Sequence, residues 1–240
     1  IEIEDYEEPQ EDTNDNSLEP TYFQRITASK EFQDFKAEHS AAADALKESV
    51  SSVISQEKEP QPDLLCRIIE PLLAKTTSSI ELFDFLHNMR TNDDSIYAHS
   101  INVALISNML GRWLKLSDDN LTILTAAALL HDIGKTKIPA EILNKPGRLS
   151  PEEFEVMKTH VLKVCEILSG LNRLPDKEYL RYAYNICRYH HERWDGGGYP
   201  DGLKGDNIPI CAQVVAIADC YDALTTNRVY KEALSRDQAF

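Results

Sequence analysis

The sequence predicts an all-α protein, on three observations. Apolar residues recur at helical spacing along most of the chain. The alternation of apolar and polar residues that marks a strand is missing throughout. Serine and proline stand where helices should begin, and glycine and proline cluster where they should stop.

Between positions 29 and 55, Phe32, Phe35, Ala42, Leu46, Val50 and Val53 fall on one helical face. The stretch Glu57-Lys58-Glu59-Pro60-Gln61-Pro62 is a break. A second helix follows, with Leu64, Leu65, Ile68, Ile69, Leu72 and Leu73 as its apolar face and Pro71 as a point of kinking or splitting. Positions 79–89 and 95–114 read as two more helices, and Asp118 to Leu130 as another, with Ser117 or Asp118 as its N-cap. A loop from Gly134 to Arg148 comes next. Ser150-Pro151-Glu152-Glu153 then combines a serine N-cap, proline at N1 and glutamate at N3, so a helix is expected from there to about Leu168. Asp176 to Tyr189 and Pro209 to Thr225 read as the last two helices. The loop between them, from Glu192 to Pro209, holds five of the nine glycines.

With 240 residues the chain is long enough for one domain and an appendage. The net charge is -15, and nine acidic residues without a single Lys or Arg fall in positions 1–20. Positions 1–28 are therefore expected to be a disordered acidic linker, and 29–79 a helical linker or regulatory region. The charge argues against long nucleic acid, which needs a basic face. No stretch approaches the roughly 20 apolar residues that span a bilayer, and Ile1-Glu2-Ile3-Glu4-Asp5 carry no basic or apolar signal-peptide region, so none is expected here. The cysteines, Cys66, Cys165, Cys187, Cys211 and Cys220, form no C-x-x-C pair, so reduced thiols in a cytoplasmic protein are expected. The chain lacks an initiator Met and stops inside a helix-like run, and so reads as a fragment of something longer.

Five of the seven histidines fall at suggestive places. His99 lies early in one helix, His131-Asp132 ends another, His160 is inside the helix that starts at Ser150, and His190-His191 ends a further one. Asp219 closes the apolar run Val214-Val215-Ala216-Ile217-Ala218. The intervals are about 30 residues, so inward-facing ligands from successive helices can converge on a core metal site. Imidazole and carboxylate suit iron, manganese, zinc, cobalt or nickel. Asp132 could bridge two ions, and a water between them would become a nucleophile near neutral pH. His39 and His87 are read as ordinary surface or core residues.

Two stretches go further. Leu130-His131-Asp132-Ile133-Gly134-Lys135 and His190-His191-Glu192-Arg193-Trp194-Asp195-Gly196-Gly197-Gly198-Tyr199-Pro200-Asp201-Gly202-Leu203 closely resemble the HD-GYP family of bacterial cyclic di-GMP phosphodiesterases, within the HD hydrolase superfamily. The resemblance continues through Ile208-Pro209, Ala218-Asp219, Asp222-Ala223-Leu224-Thr225 and Arg228-Val229-Tyr230-Lys231, and covers roughly Ile80 to Phe240. It implies an HD-type helical bundle over 80–240, with the family's closing helices lying beyond Phe240.

It also implies His99, His131, Asp132, His160, His190, His191 and Asp219 as metal ligands, with Asp132 shared between two ions. Lys135 matches the lysine beside the scissile phosphate. Arg228 and Lys231 match residues that hold substrate phosphates, and Asp222 a polar residue near that lysine. Gly198, Tyr199 and Pro200 form the namesake motif. Trp194 and Tyr199 are expected to pack and hold the loop.

The implied activity is hydrolysis of cyclic di-GMP to pGpG and onward to GMP; some family members prefer cyclic GMP-AMP. Iron or manganese would be the expected metal. Ser95 stands where some members carry a third-metal Glu, so two metals are expected. Val161 and Val164 replace the usual Pro and Gly after the helix histidine, which bears on the local helix start. A binding module of low activity, or an HD hydrolase of other nucleotides, is the competing reading. Partner expectations are a homodimer through the amphipathic N-terminal helices and a signalling protein at the Tyr199 loop.

Overall fold

A computed structural model describes residues 21–56, 61–89, 95–170 and 178–225. Eleven α-helices and no strands are found among them, so the all-α class holds. In order they are α1 (Tyr22–Ala28), α2 (Lys30–Gln56), α3 (Pro62–Lys75), α4 (Ser79–Asn88), α5 (Ile96–Trp113), α6 (Asp118–Leu130), α7 (Ala140–Leu143), α8 (Pro151–Lys158), α9 (His160–Gly170), α10 (Glu178–Tyr189) and α11 (Ile210–Thr225). Short 3-10 turns cover Ile133–Lys137 and Gly205–Asn207.

Helix α5 is the hub. Ile101, Val103, Ala104 and Leu105 are wholly buried, as are Leu124, Ala127, Ala128 and Leu129 of α6 beside it. Small residues set the approach of these two helices. A Cβ on Gly111 would lie 2.8 Å from Leu121 and 2.9 Å from Leu124. Buried polar groups in the contact are paired, as they must be: Asn108 donates to Thr125 at 2.9 Å. Helix α11 packs on α5, and α10 packs on both α6 and α9.

The helix starts follow the sequence closely. Ser78, Ser95, Ser117 and Ser150 each cap the helix they precede, and Ser150 with Glu153 completes a capping box. Ser95 is thus occupied in accepting from the Ala98 N–H. Pro71 lies inside α3 without ending it.

Three expectations change. The linker expected over 1–28 includes a helix, α1, opened by a capping box from Thr21 to Gln24. The helix from Ser150 is two helices, broken at Thr159, so His160 opens α9. The backbone of Gly134 lies against the start of α9, where a Cβ would be 2.0 Å from the His160 carbonyl. Third, the boundary at residue 79 is no break in packing. Phe32, Phe35, Leu46 and Val50 of α2 and Leu65, Ile69 and Leu72 of α3 belong to the same buried core as α5 and α6. Most of the apolar face of α2 is therefore covered within the chain, while Leu64 of α3 stays exposed.

Candidate metal centre

Helix ends and a kink bring the ligands together. His131 caps the C-terminus of α6, and Asp132 follows in the turn. His160 opens α9, His190 and His191 follow the end of α10, His99 comes from the first turn of α5, and Asp219 from α11. Their side chains form two groups able to hold a metal ion, His99–His131–Asp132 and Asp132–His160–His190–His191, with Asp132 common to both. Its two oxygens point to different sides. Oδ2 lies 3.5 Å from Nε2 of both His99 and His131, while Oδ1 lies 3.3 Å from Nε2 of His160. Asp219 reaches both sides as well, with Oδ1 3.1 Å from His99 Nε2 and Oδ2 3.8 Å from His191 Nδ1.

The fit to metal rests on unpaired ring nitrogens. In His131, His160 and His190 the Nδ1–H donates to the backbone carbonyl three residues earlier, Ala128, Met157 and Cys187, at 2.7–2.8 Å. That fixes the tautomer and leaves each Nε2 lone pair facing the centre. These three Nε2 atoms and Asp132 Oδ1 are buried and make no hydrogen bond, whereas His99 Nε2 faces the Asp219 carboxylate. So many orphaned acceptors in one place are costly without a cation to bind them.

The charge states suit metal. Burial holds His131, His160, His190 and His191 below the ordinary histidine value, His191 down to about 3, so these rings are neutral donors. His99 differs: burial alone would lower it, but the Asp219 and Asp222 carboxylates raise it to about 10. Burial by itself pushes the Asp132 carboxyl up. Lys135 and then the surrounding imidazoles carry it well below the usual carboxylate range. Lys135, from the 3-10 turn, places its ammonium on Asp132 Oδ2.

The glycine-rich loop closes one side. Tyr199 packs on the His191 ring with centroids 4.8 Å apart. A Cβ on Gly198 would lie 2.4 Å from the Arg193 nitrogen, so only glycine lets the loop fold back there. Pro200 follows in a cis peptide.

Two residues take places that sequence reasoning did not assign. The first is Asp222, read from the sequence only as a polar residue near Lys135. It is buried, with Oδ2 accepting from His99 Nδ1 at 2.7 Å and Oδ1 from Asn102 at 2.8 Å. Glu192, buried in the loop, accepts from the Asp201 and Leu203 N–H groups at 2.7 and 2.9 Å. Trp194, expected to pack, is 62% exposed. Arg228 and Lys231 lie outside the described residues.

A family model described as "HD domain" matches residues 70–240. The chain belongs to the HD domain family. The HD-GYP resemblance read from the sequence agrees with its relatives. Over 161 residues it is 41% identical to a cyclic di-GMP phosphodiesterase of Thermotoga maritima, covering 67% of this chain and 42% of that protein. It is 36% identical over 164 residues to a 3'3'-cGAMP-specific phosphodiesterase of Vibrio cholerae, covering 68% of this chain and 31% of that one. The chain thus spans less than half the length of these relatives. An HDG"Y"P protein of Bdellovibrio bacteriovorus shares the fold, with a TM-score of 0.65 at 19% identity over 87% of this chain and 66% of that one. No helix among the described residues is long and apolar enough to cross a membrane.

Proposed function

We propose that this HD domain is a metal-dependent phosphodiesterase that hydrolyses cyclic di-GMP to pGpG, with GMP as a further product. One observation carries the reading: two groups of inward-facing ligands share the single carboxylate Asp132, and a lysine ammonium stands on that carboxylate. A shared carboxylate is what a two-metal site for phosphodiester hydrolysis requires. The names of relatives at 36–41% identity supply the substrate class.

Two divalent ions, ferrous or manganous, would be held by His99, His131, Asp132, His160, His190, His191 and Asp219. When bound they supply Lewis-acid activation of water and neutralise phosphate charge. The remaining chemistry belongs to the chain. Backbone carbonyls orient three of the imidazoles, and Asp222 orients a fourth. Lys135 offers a proton and a positive charge at the open side of Asp132, where its own side chain is 24% exposed. There it can stabilise charge on the reacting phosphoryl group or protonate the leaving 3'-oxygen. Arg228 and Lys231 are proposed to hold the substrate phosphates. Tyr199 screens the His191 side from water, and the exposed Trp194 makes the rim of the same loop the proposed contact for a signalling partner.

The test is anaerobic incubation with ferrous or manganous ion and cyclic di-GMP, with cyclic GMP-AMP in parallel, following products by chromatography. We expect metal-dependent pGpG, and a loss of at least about a hundredfold in Asp132→Ala. Tight binding without product from either dinucleotide would instead establish a binding module. Full activity in Asp132→Ala would exclude the assigned site.

A further inference from the structure

An unbroken path of hydrogen bonds joins helix α2 to the metal centre. His39 of α2 is buried, and its Nε2 lies 2.7 Å from Asn102 Oδ1 on α5. Since that amide oxygen can only accept, His39 is the donor. The Asn102 amide nitrogen donates to Asp222 Oδ1 on α11 at 2.8 Å. Asp222 Oδ2 in turn accepts from His99 Nδ1 at 2.7 Å, which leaves His99 Nε2 for the site. Each link has one donor and one acceptor, so the directions agree from end to end.

The path would be ordinary core satisfaction if it ended in the core. It ends on a ligand of the centre, and it begins outside the family domain. The HD match starts at residue 70, whereas His39 lies in α2, which precedes it. Helix α2 is held there by apolar contacts: Phe35 packs on Phe85 of α4 with centroids 5.2 Å apart, and its ring also neighbours His39. A shift of α2 of about an ångström would stretch the first hydrogen bond past its useful range. That would free the Asn102 amide to turn and loosen the carboxylate that aims His99.

We propose that His39 is a positioning residue which, through Asn102 and Asp222, couples the placement of α2 to the metal affinity of the centre. The inference rests on the reading of His99 as a metal ligand. Partners that orient ligands in this way commonly contribute 10–100-fold to metal affinity when they touch the ligand directly. His39 acts two links further out, so its effect should fall at the low end of that range.

The full chain, stripped of metal, is titrated with manganous ion for wild type, His39→Leu, Asn102→Leu and the double variant. Circular dichroism and thermal unfolding in chelator confirm the fold of each. His39→Leu should weaken manganese binding about tenfold. Because both substitutions cut one path, the double variant should bind no more weakly than Asn102→Leu alone. His39→Gln, which keeps a donor toward Asn102, should stay within about threefold of wild type. His39→Asn, too short to reach Asn102, replaces the leucine variant should that one not fold. Wild-type affinity in folded His39→Leu or His39→Asn, or full additivity in the double variant, would overturn the coupling. Affinity is read without substrate, so a wild type that binds manganese but hydrolyses nothing refutes the proposed activity and leaves the coupling standing. A wild type that binds no manganese refutes the metal reading and the coupling together.

Discussion

Gly134 shows how much one missing side chain decides. Its backbone fills the space in front of the α8–α9 break, with no room for a Cβ against the His160 carbonyl or the Val164 nitrogen at 2.8 Å. The clash is with backbone, so neither neighbour can rotate away, and α9 would have to move with His160 on it. Gly134→Ala is therefore expected to destabilise the metal-free protein by about 1–3 kcal/mol, as overpacking does. It should also weaken metal binding, because Asp132 and His160 lose register. Urea unfolding and a manganese titration check both; an alanine variant as stable and as tight as wild type would contradict the packing described. The same scale explains what sequence reading could and could not see. His131 and Asp132 were legible from residue type and spacing. Asp222 was not, because its partners His99 and Asn102 lie more than 100 positions away and nothing local marks the pairing.

The glycine-rich loop is an element held by its own polar contacts. Arg188 grips Asp201 through two nitrogens at 2.9 and 2.7 Å, near the surface. Glu192 satisfies two backbone N–H groups from beneath. The second contact should matter more. Exposed ion pairs contribute about 0–1 kcal/mol, whereas hydrogen bonds to a charged group contribute about 1.5–3 kcal/mol each, less where the donors are only part-buried, as here. Glu192→Ala should thus lower stability by about 1–3 kcal/mol and open the loop to proteolysis around Gly196–Leu203, while Arg188→Met should cost less than about 1 kcal/mol. Limited proteolysis and denaturant titration of the two variants decide this, and equal effects would refute the ranking. Helix starts were readable because a serine cap is a local device. The break at Thr159 was not, because no Pro or Gly stands between Val156 and Leu162 to mark it.

At the scale of the molecule, the crowd of buried imidazoles makes the metal-free protein sensitive to acid. His131, His160, His190 and His191 sit below their ordinary value because they are buried. As pH falls through about 6.5 the unfolded chain takes up protons on them and the folded chain resists, so stability falls. His99 works the other way: raised to about 10, it adds stability below about 6.5 that is lost as pH rises toward 10. Asp132 and Asp219 are held low, so their contribution is present above about 3.9 and is lost only in stronger acid. Four against one, the midpoint of thermal unfolding should drop between pH 7 and 5 in chelator. Metal at a hundredfold over its dissociation constant should raise stability by about 2.7 kcal/mol at pH 7, and by less at pH 5, where protons compete for the rings. A flat midpoint in chelator, or a metal effect that grows in acid, would contradict this electrostatic account.

The helical class, most helix starts and the seven candidate ligands were legible in the chain alone, because periodicity, caps and the run of His and Asp types are local properties. How those ligands divide depended on the packing of the helices. Asp132 turns one oxygen to each group, three imidazoles are locked by backbone carbonyls three residues earlier, and Asp222 aims His99 from across the bundle. The tertiary structure also folded α2 and α3 into the core that the sequence seemed to leave outside it. Side-chain direction and distant pairing depend on how helices pack, and packing is a property of the whole chain at once.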